Sequence, residues 1–244
     1  MMDHGSDNAS LGRNLRSRLP RLRWALRKLI GRNPPKGDVY YGDMAALYDE
    51  ERARSKRWHR EQTAVETCLR GLPEALRVLD VPVGTGRFLA AYAARGHDVT
   101  GLDASEEMLS VARQRGAENG TRLRLVKGDA TQLPYDDGAF ELVVSTRFLR
   151  HVLPFEQAKR ALAEMARVCS GHAIIEMGSR SRATRWPSAG KPIRDAISHD
   201  DLTALFVGAG FEVLDFTPTT RNYIRFWRGR RRAVYLLRRA GGDG

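Results

Sequence analysis

Three aspartates and two glycines carry the clearest chemistry in this sequence. Asp80 precedes a turn that contains Gly84 and Gly86, Asp103 lies 17 residues beyond Gly86, and Asp129 comes directly after a further glycine. Glycine allows backbone torsions and a close approach that a Cβ would block. Asp103 has the spacing of an acid that accepts hydrogen bonds from ribose hydroxyls. Asp129 can accept one from an exocyclic amine such as adenine N6. The set predicts an adenosine site.

The glycine turn itself limits which cofactor fits. It reads Val83-Gly-Thr-Gly-Arg87, which lacks the Gly-x-Gly-x-x-Gly pattern of dinucleotide sites, and no Gly-Lys-Ser/Thr occurs in the chain. Nucleotides whose phosphates need such a cradle therefore fit less well than a cofactor that bears an amino acid on its ribose. Asp80 is placed to orient the turn amides or, through water, the ammonium group of such a cofactor.

Alternating strands and helices must position these residues. A run of apolar residues at 76–81 predicts a buried strand that enters the glycine turn, and Ser105 is a candidate N-cap for a later helix. A helical stretch within 40–70 precedes them, with an inward face of Trp58, Ala64, Val65, Cys68 and Leu69. We expect further strands at 97–102, 122–126, 140–145, 173–177, 211–216 and within 223–237, and helices at 86–95, 105–115, 155–169 and 199–209. The alternation predicts an α/β fold with a seven-stranded, mostly parallel sheet covered on both faces.

Composition restricts the class of protein further. The chain has 244 residues, a formal net charge of +12 and two cysteines, Cys68 and Cys169, which stand in no metal-type spacing. We therefore expect no metal site. No apolar run approaches the roughly 18 residues that span a bilayer, and the N-terminus lacks the apolar core of a signal peptide. These features favour a cytoplasmic protein.

Several motifs then occur in a specific order. They are Val78-Leu-Asp-Val-Pro-Val-Gly-Thr-Gly, Gly101-Leu-Asp-Ala-Ser-Glu-Glu-Met-Leu, Gly128-Asp-Ala-Thr-Gln-Leu-Pro-Tyr-Asp-Asp-Gly, Leu149-Arg-His-Val and Ala209-Gly-Phe-Glu-Val. Residues 75 to 220 thereby resemble class I S-adenosylmethionine-dependent methyltransferases, of the broad small-molecule type that includes the quinone-biosynthesis enzymes. Pro82 stands where that family most often has glycine. The resemblance implies a Rossmann-like fold that ends in an antiparallel hairpin, S-adenosyl-L-methionine as cofactor, and methyltransferase activity.

The resemblance also assigns cofactor-binding roles by position. Asp80, Gly84 and Gly86 would hold the methionine end, and Ser145 would offer its carbonyl to the ammonium group. Asp103 would take the ribose. The adenine contacts would come from the remaining positions, which are Ala104, Met108, Asp129 and Ala130.

The acceptor site is less defined by the sequence. After Ser145 the chain lacks the Asn/Asp-Pro-Pro-aromatic pattern of nucleobase amino-group methyltransferases, and it offers no cysteine for attack on a pyrimidine. Arg147 and Phe148 instead predict a hydrophobic pocket with one cation. The loop 179–197 holds five basic residues against one acid, so Arg185 and Lys191 are candidate contacts to a carboxylate or phosphate. An ordinary solvated loop is the alternative.

A general base is needed only if the acceptor must lose a proton. His151 is the candidate, because it follows a strand on the carboxyl side of the sheet, where ligands bind. Helix capping or packing is the alternative role for His151. His199 is a weaker candidate, since it stands at a predicted helix start.

Positive charge is concentrated near both ends of the chain. Residues 11–32 and 221–239 each contain eight Lys or Arg and no acid. We divide the chain into a basic, partly helical or disordered extension at 1–36, a helical cap at 37–74 and a methyltransferase domain at 75–240. The basic segments suit an anionic membrane surface, RNA phosphates or plain solvation.

Three functions remain open on the sequence alone. The leading one is methyl transfer to a small or lipid-linked acceptor with anionic character, in the cytoplasm or at the inner face of the membrane. The second is an RNA methyltransferase that uses the basic ends. The third is a non-catalytic cofactor-binding or membrane-tethered scaffold.

Overall fold

The computed structural model describes residues 52–149, 155–180, 198–219 and 230–241 of the chain. Strands and helices alternate along these residues, as the sequence predicts. Their bounds are α1 Lys56–Arg70, β1 Arg77–Asp80, α2 Leu89–Ala93, β2 Asp98–Asp103, α3 Glu106–Glu118, β3 Arg122–Lys127, β4 Phe140–Ser145, α4 Phe155–Val168, β5 Cys169–Arg180, α5 His199–Gly208, β6 Phe211–Pro218 and β7 Arg230–Arg239.

The seven strands form one sheet in the order β3-β2-β1-β4-β5-β7-β6. Strands β1 to β5 are parallel to one another, whereas β7 pairs antiparallel with both β5 and β6. The predicted fold class, including the C-terminal antiparallel hairpin, is confirmed. Because the strand order reverses between β1 and β4, a crevice opens at their carboxyl ends, where ligands bind in such sheets.

Continuous apolar runs explain why the central strands are buried on both faces. Val78, Leu79, Val143 and Val144 are all completely buried. Side chains that alternate along one strand contribute to two separate apolar clusters: Leu79 and Val143 to one, Val78 and Val144 to the other. The helices cover both faces, so the core on each side is formed by a sheet face packed against helices.

Helix α1 covers part of one face through the predicted set of apolar residues. Trp58, Ala64, Val65, Cys68 and Leu69 are all buried. A sixth buried residue of the same helix is charged, which the apolar pattern did not predict. This residue is Glu61, and its carboxylate pairs with the Arg147 guanidinium at the end of β4.

Helix boundaries follow from local caps. Helix α3 begins after Ser105, whose Oγ accepts a hydrogen bond from the Met108 amide at 3.3 Å, so the predicted N-cap is confirmed. Helix α2 begins at Leu89 rather than at residue 86, because the turn with Gly84 and Gly86 extends to Phe88. Strand β5 is longer than predicted, since it starts at Cys169 and pairs with β7 as far as Arg180.

Other expectations can be compared only where the chain is described. Cys68 and Cys169 are both buried free thiols. In the described ranges no helix is long and apolar enough to cross a bilayer. The basic extension at 1–36, His151, and the loop positions Arg185 and Lys191 lie outside the described residues.

Candidate functional site

A cavity of about 590 Å³ lies at the carboxyl ends of β1 to β4. Its walls come from the segments that follow these strands, together with one residue of α1 and two of α4. The lining residues are Trp58, Pro82, Val83, Gly84, Thr85, Arg87, Leu102, Asp103, Ala104, Ser105, Met108, Lys127, Gly128, Asp129, Ala130, Thr131, Thr146, Arg147, Phe148, Gln157 and Arg160. The cavity therefore occupies the crevice that the strand order creates.

Asp103 is held at this cavity by two backbone amides. Its Oδ2 accepts a hydrogen bond from the Gly84 amide and its Oδ1 accepts one from the Ser105 amide, each at 2.9 Å. Burial raises the pKa of Asp103, and these hydrogen bonds act in the opposite direction. Each carboxylate oxygen keeps a further lone pair. The carboxylate is thus fixed in place and can still accept hydroxyl donors.

The glycine turn brings backbone to the cavity wall. Gly84 and Gly86 have φ values of +55° and +72°, a region that side chains with a Cβ rarely adopt. A Cβ on Gly86 would also stand 3.3 Å from Cα of Ala112 in α3. The turn therefore needs glycine at 84 for its conformation, and at 86 for both conformation and packing.

Asp80 lies behind the turn instead of at the cavity surface. Its side chain is buried, and its Oδ2 accepts a hydrogen bond from Tyr92 Oη at 3.1 Å. Burial raises the pKa of Asp80 to about 8, and the charge of Asp103 contributes further. The sequence predicted that Asp80 could orient the turn amides, but the Gly84 amide donates to Asp103. Asp103 takes that role because its carboxylate reaches the turn from the adjacent strand β2.

The predicted adenine contacts all reach the same cavity. Ala104, Met108, Asp129 and Ala130 all line it. Asp129 Oδ1 accepts a hydrogen bond from the Thr131 amide at 2.8 Å, which fixes an exposed carboxylate at the end of β3. Met108 and Ala130 are 4% and 6% exposed, so each presents a small apolar surface to the cavity.

Three predicted cofactor residues are not part of the cavity lining. Besides Asp80, these are Gly86 and Ser145, which is buried at the end of β4. All three are buried, and each is close in the chain to residues that line the cavity. His151, Arg185 and Lys191 cannot be placed, because they fall outside the described ranges.

Arg147 and Phe148, for which the sequence predicts a hydrophobic pocket with one cation, both line the cavity. Arg87, Lys127 and Arg160 also line this cavity. In addition, Arg147 makes a two-pronged ion pair with the buried carboxylate of Glu61, with Nε–Oε1 and Nη2–Oε2 distances of 2.8 Å each. No sequence signal joins residues 61 and 147, because the fold alone brings α1 beside the end of β4.

The residues present fit an adenosyl cofactor that carries an amino acid. An anchored acid stands at the end of β2, a glycine turn follows β1, and a second acid with small apolar neighbours follows β3. Asp80, a carboxylate whose pKa burial raises to about 8, lies beside the turn, where an ammonium group would favour its ionised form. Among the described residues, no cluster of His, Cys, Asp or Glu could hold a metal ion.

Known proteins share this sequence pattern. A family model described as a methyltransferase domain matches residues 78–171. A demethylmenaquinone methyltransferase of Renibacterium salmoninarum is 35% identical over 166 residues, which cover 66% of this chain and 65% of that protein. Another, from Parafrankia sp., is 30% identical over 237 residues, which cover 87% of this chain and 88% of that protein.

A phosphatidylethanolamine N-methyltransferase of Cereibacter sphaeroides is 40% identical over 134 residues, which cover 53% of this chain and 62% of that protein. The chain thus matches somewhat under two thirds of the length of both the Renibacterium and the Cereibacter proteins.

The same fold occurs in solved structures. An S-adenosylmethionine-dependent methyltransferase from Clostridium acetobutylicum superposes with a TM-score of 0.62 at 16% identity, over 82% of this chain and 98% of that one. At this identity the likeness concerns the fold. Together with the match along most of the Parafrankia enzyme, it leads to one conclusion: the chain belongs to the class I S-adenosylmethionine-dependent methyltransferases.

Proposed function

We propose that this protein transfers a methyl group from S-adenosylmethionine to a small or lipid-linked acceptor with an anionic group. The observation that supports this most directly is the lining of one cavity. It includes Asp103, Asp129 and the glycine turn as well as Trp58, Arg147 and Phe148. A cofactor and an acceptor can therefore meet in one space.

The cofactor half of the proposal assigns a task to each predicted residue. Asp103 accepts the ribose hydroxyls, and the residues around Asp129 hold the adenine edge. Gly84 and Gly86 shape the turn against the methionine end, while Asp80 supplies negative charge behind it. The Ser145 carbonyl remains the predicted partner of the ammonium group.

When bound, S-adenosylmethionine supplies a methyl group on a sulfonium, which is already a good leaving group. The protein then needs chiefly to align the acceptor in line with the methyl–sulfur bond and to exclude water. Phe148 is 8% exposed and Trp58 also 8%, so both are fixed apolar walls at the acceptor end. If the acceptor must lose a proton, His151 remains the predicted base.

The acceptor half of the proposal rests on charge and on the relatives. Four cations line the cavity, against the two carboxylates assigned to the cofactor, Asp103 and Asp129. The named relatives act on demethylmenaquinone and on phosphatidylethanolamine, which favours an acceptor from the membrane. Arg185 and Lys191 remain predicted further contacts to an anionic group.

Label transfer tests this proposal directly. The purified protein is incubated with S-adenosylmethionine labelled in the methyl group and with total lipid extract, water-soluble metabolites or total RNA in parallel. We expect label in the lipid or metabolite fraction. Label in RNA alone would replace this proposal by the RNA alternative, which the relatives do not support. Tight cofactor binding without label in any fraction would favour the scaffold alternative.

The location of the protein in the cell is part of the same proposal. A chain that acts on a lipid-linked acceptor must reach the membrane surface, and two segments of eight basic residues each are suited to anionic headgroups. We therefore propose that the protein works in the cytoplasm and contacts the inner face of the membrane peripherally.

A further inference from the structure

The loop between β3 and β4 carries residues assigned to the adenine edge. This loop comprises residues 128–139, and its first part, with Asp129, Ala130 and Thr131, lines the cavity. The Asp129 carboxylate accepts the Thr131 amide at 2.8 Å, and the Asp129 carbonyl accepts the Gln132 amide at 3.1 Å. Asp129 is thereby fixed to its own loop, so its position against a ligand depends on how the loop is attached to the rest of the protein.

One arginine of α4 binds this loop through its whole side chain. Arg167 Nη2 donates to the Leu133 carbonyl at 3.0 Å, and Nη1 donates to the Tyr135 carbonyl at 2.7 Å and to Asp137 Oδ1 at 2.8 Å. The same guanidinium pairs with Glu164 of α4, with Nε–Oε1 and Nη2–Oε2 distances of 2.8 Å each. These contacts engage every N–H of the guanidinium group, so its orientation towards the loop is fixed.

Glu164 binds the same loop beside Arg167. Its Oε2 also accepts the Leu133 amide at 2.8 Å, so α4 binds both the N–H and the carbonyl of Leu133. The backbone of α4 adds a further contact, because the Gly138 amide donates to the Arg167 carbonyl at 2.9 Å. The hydrogen bonds from Arg167 hold the pKa of Glu164 below its usual range, which keeps this carboxylate ionised near neutral pH. We refer to Glu164 and Arg167 as the α4 clamp.

The α4 clamp shares one helix face with residues of the cavity wall. Gln157 and Arg160 line the cavity, and Glu164 and Arg167 follow on the same helix. The four positions are spaced by three, four and three residues, which places their side chains on one face of an α-helix. Helix α4 therefore forms part of the cavity at one point and holds the loop at another, so it fixes the loop relative to the ligand space.

Apolar packing attaches the loop to the core as well. Ala130 and Leu133 are 6% and 4% exposed and belong to one of the two apolar clusters. The ring of Tyr135 packs edge-on against Phe140, with the ring centroids 4.9 Å apart. Loss of the α4 clamp therefore leaves the loop packed on the core but releases its backbone. We expect a small displacement of Asp129 from such a loss, and not unfolding.

We propose that the α4 clamp positions Asp129 and thereby sets the selectivity of the site for the amino group of adenine. Neither Glu164 nor Arg167 lines the cavity, so both act through the loop between β3 and β4. A hydrogen bond from an amine to a carboxylate depends on distance and angle, so a small displacement of Asp129 weakens it. The contact between Asp129 and adenine belongs to the proposed function, on which this inference rests.

The test compares two ligands that differ at one position of the base. Calorimetry measures the dissociation constants of S-adenosylhomocysteine and of S-inosylhomocysteine, in which a carbonyl oxygen replaces the amino group, with the full-length protein. We expect the wild type to bind S-adenosylhomocysteine at least about tenfold more tightly, because a hydrogen bond to a charged acceptor is lost in the other ligand. In Arg167→Met we expect the ratio of the two constants to fall at least about threefold, since that hydrogen bond is weakened.

A double-mutant cycle shows whether the α4 clamp acts through Asp129. Asp129→Ala should itself lower the ratio, and Arg167→Met should have no additional effect on the ratio in that background. Additive effects of the two changes would show that Arg167 does not act through Asp129 and would overturn the inference. An unchanged ratio in Asp129→Ala would overturn it too, because Asp129 would then not contact the adenine amino group.

Controls separate positioning from a general loss of stability. Arg238→Met removes an arginine that pairs with Glu212 at 3.1 Å in the hairpin of β6 and β7, outside the cavity lining, and should leave the ratio unchanged. Glu164→Ala takes the place of Arg167→Met if that variant does not fold. Equal weakening of both ligands, or no change, in Arg167→Met and Glu164→Ala would mark a merely structural role and overturn the inference. Because no methyl transfer is measured, that result would leave the label-transfer experiment unaffected.

Discussion

Asp103 shows how a single carboxylate connects the fold with the site. Its two oxygens accept the Gly84 and Ser105 amides, so the side chain holds both the glycine turn and the residue that caps α3. Replacing Asp103 therefore changes contacts of the backbone as well as the cavity lining.

Asp103→Ala should weaken cofactor binding. The change removes two charge-assisted hydrogen bonds to the ribose, each worth about 1.5–3 kcal/mol. We expect the dissociation constant of S-adenosylhomocysteine, measured by calorimetry well below the melting midpoint, to rise by at least about tenfold. Asp98→Ala, at the exposed opposite end of the same strand, is the matched control. An unchanged constant in Asp103→Ala would show that the ribose assignment is wrong.

Asp80 is a second carboxylate near the turn, and its burial in the fold disfavours its charged form. Its pKa is about 8 in the folded protein, against 3.8 as the ordinary value, because it is buried. Between these two pH values the folded state keeps a proton that the unfolded state has released. The contribution of Asp80 to stability is therefore fully present below the unfolded pKa and is lost as pH rises through about 8.

Asp80→Asn should remove this pH dependence. An asparagine oxygen can still accept the Tyr92 hydroxyl, but no charge has to be buried at high pH. We expect the variant to melt at least about 3 °C above the wild type at pH 8, which corresponds to roughly 1 kcal/mol, and the gap to narrow at pH 5. Thermal melting across this range checks it, with the exposed Asp98→Asn as control. A gap that is constant with pH would contradict the burial of an ionisable Asp80.

At the scale of elements, the caps explain where helices start. Helix α5 begins with a capping box, in which the Asp201 amide donates to Ser198 Oγ at 3.0 Å and the Ser198 amide donates to Asp201 Oδ2 at 3.2 Å. This helix packs Leu202 and Phe206 into the core on the side of β6 and β7. It is thus a support for the sheet, remote from the cavity lining.

Ser198→Ala should lower stability and spare the site. Loss of an N-cap side chain costs about 0.5–2 kcal/mol. We expect the free energy of unfolding in urea to fall by about 1 kcal/mol, with the dissociation constant of S-adenosylhomocysteine unchanged. Ser110→Ala, at an exposed position inside α3, should not destabilise, because alanine is a better helix former. A loss of cofactor affinity in Ser198→Ala would show that α5 and the site are coupled.

The elements also show what a sequence can and cannot predict. Strand β4 was predicted at 140–145 and is found there, since its signal is a local apolar run between turn residues. The Ser105 cap could be predicted because its signal, a serine at the start of a helical stretch, is also local in the sequence. The ion pair between Glu61 and Arg147 joins residues 86 positions apart, and the apolar face of α1 gave no sign of a buried acid. Local periodicity determines elements, whereas long-range charge pairing appears only after the sheet is assembled.

At the scale of the whole molecule, positive charge is concentrated in two segments near the ends of the sequence. The two basic segments together hold more positive charge than the net +12, so the rest of the chain is slightly acidic. Five of the eight arginines of the second segment lie in β7, within the sheet. Arg87 and Arg147 of the cavity wall are nearly buried, with side chains 9% and 13% exposed, so salt screens them less than it screens exposed charges.

Removing residues 1–33 should therefore separate membrane contact from cofactor binding. This deletion takes away eight basic residues, and each is worth about 1 kcal/mol near an anionic surface. We expect the shortened protein to bind S-adenosylhomocysteine as the full chain does, but to co-sediment far less with phosphatidylglycerol vesicles. Neutral phosphatidylcholine vesicles and raised salt are the controls, because an electrostatic contact is lost in both. If the shortened protein pellets with anionic vesicles as fully as the intact chain, the N-terminal segment is not the part that binds the membrane. Deletion of residues 221–229 then tests whether the C-terminal basic segment binds it.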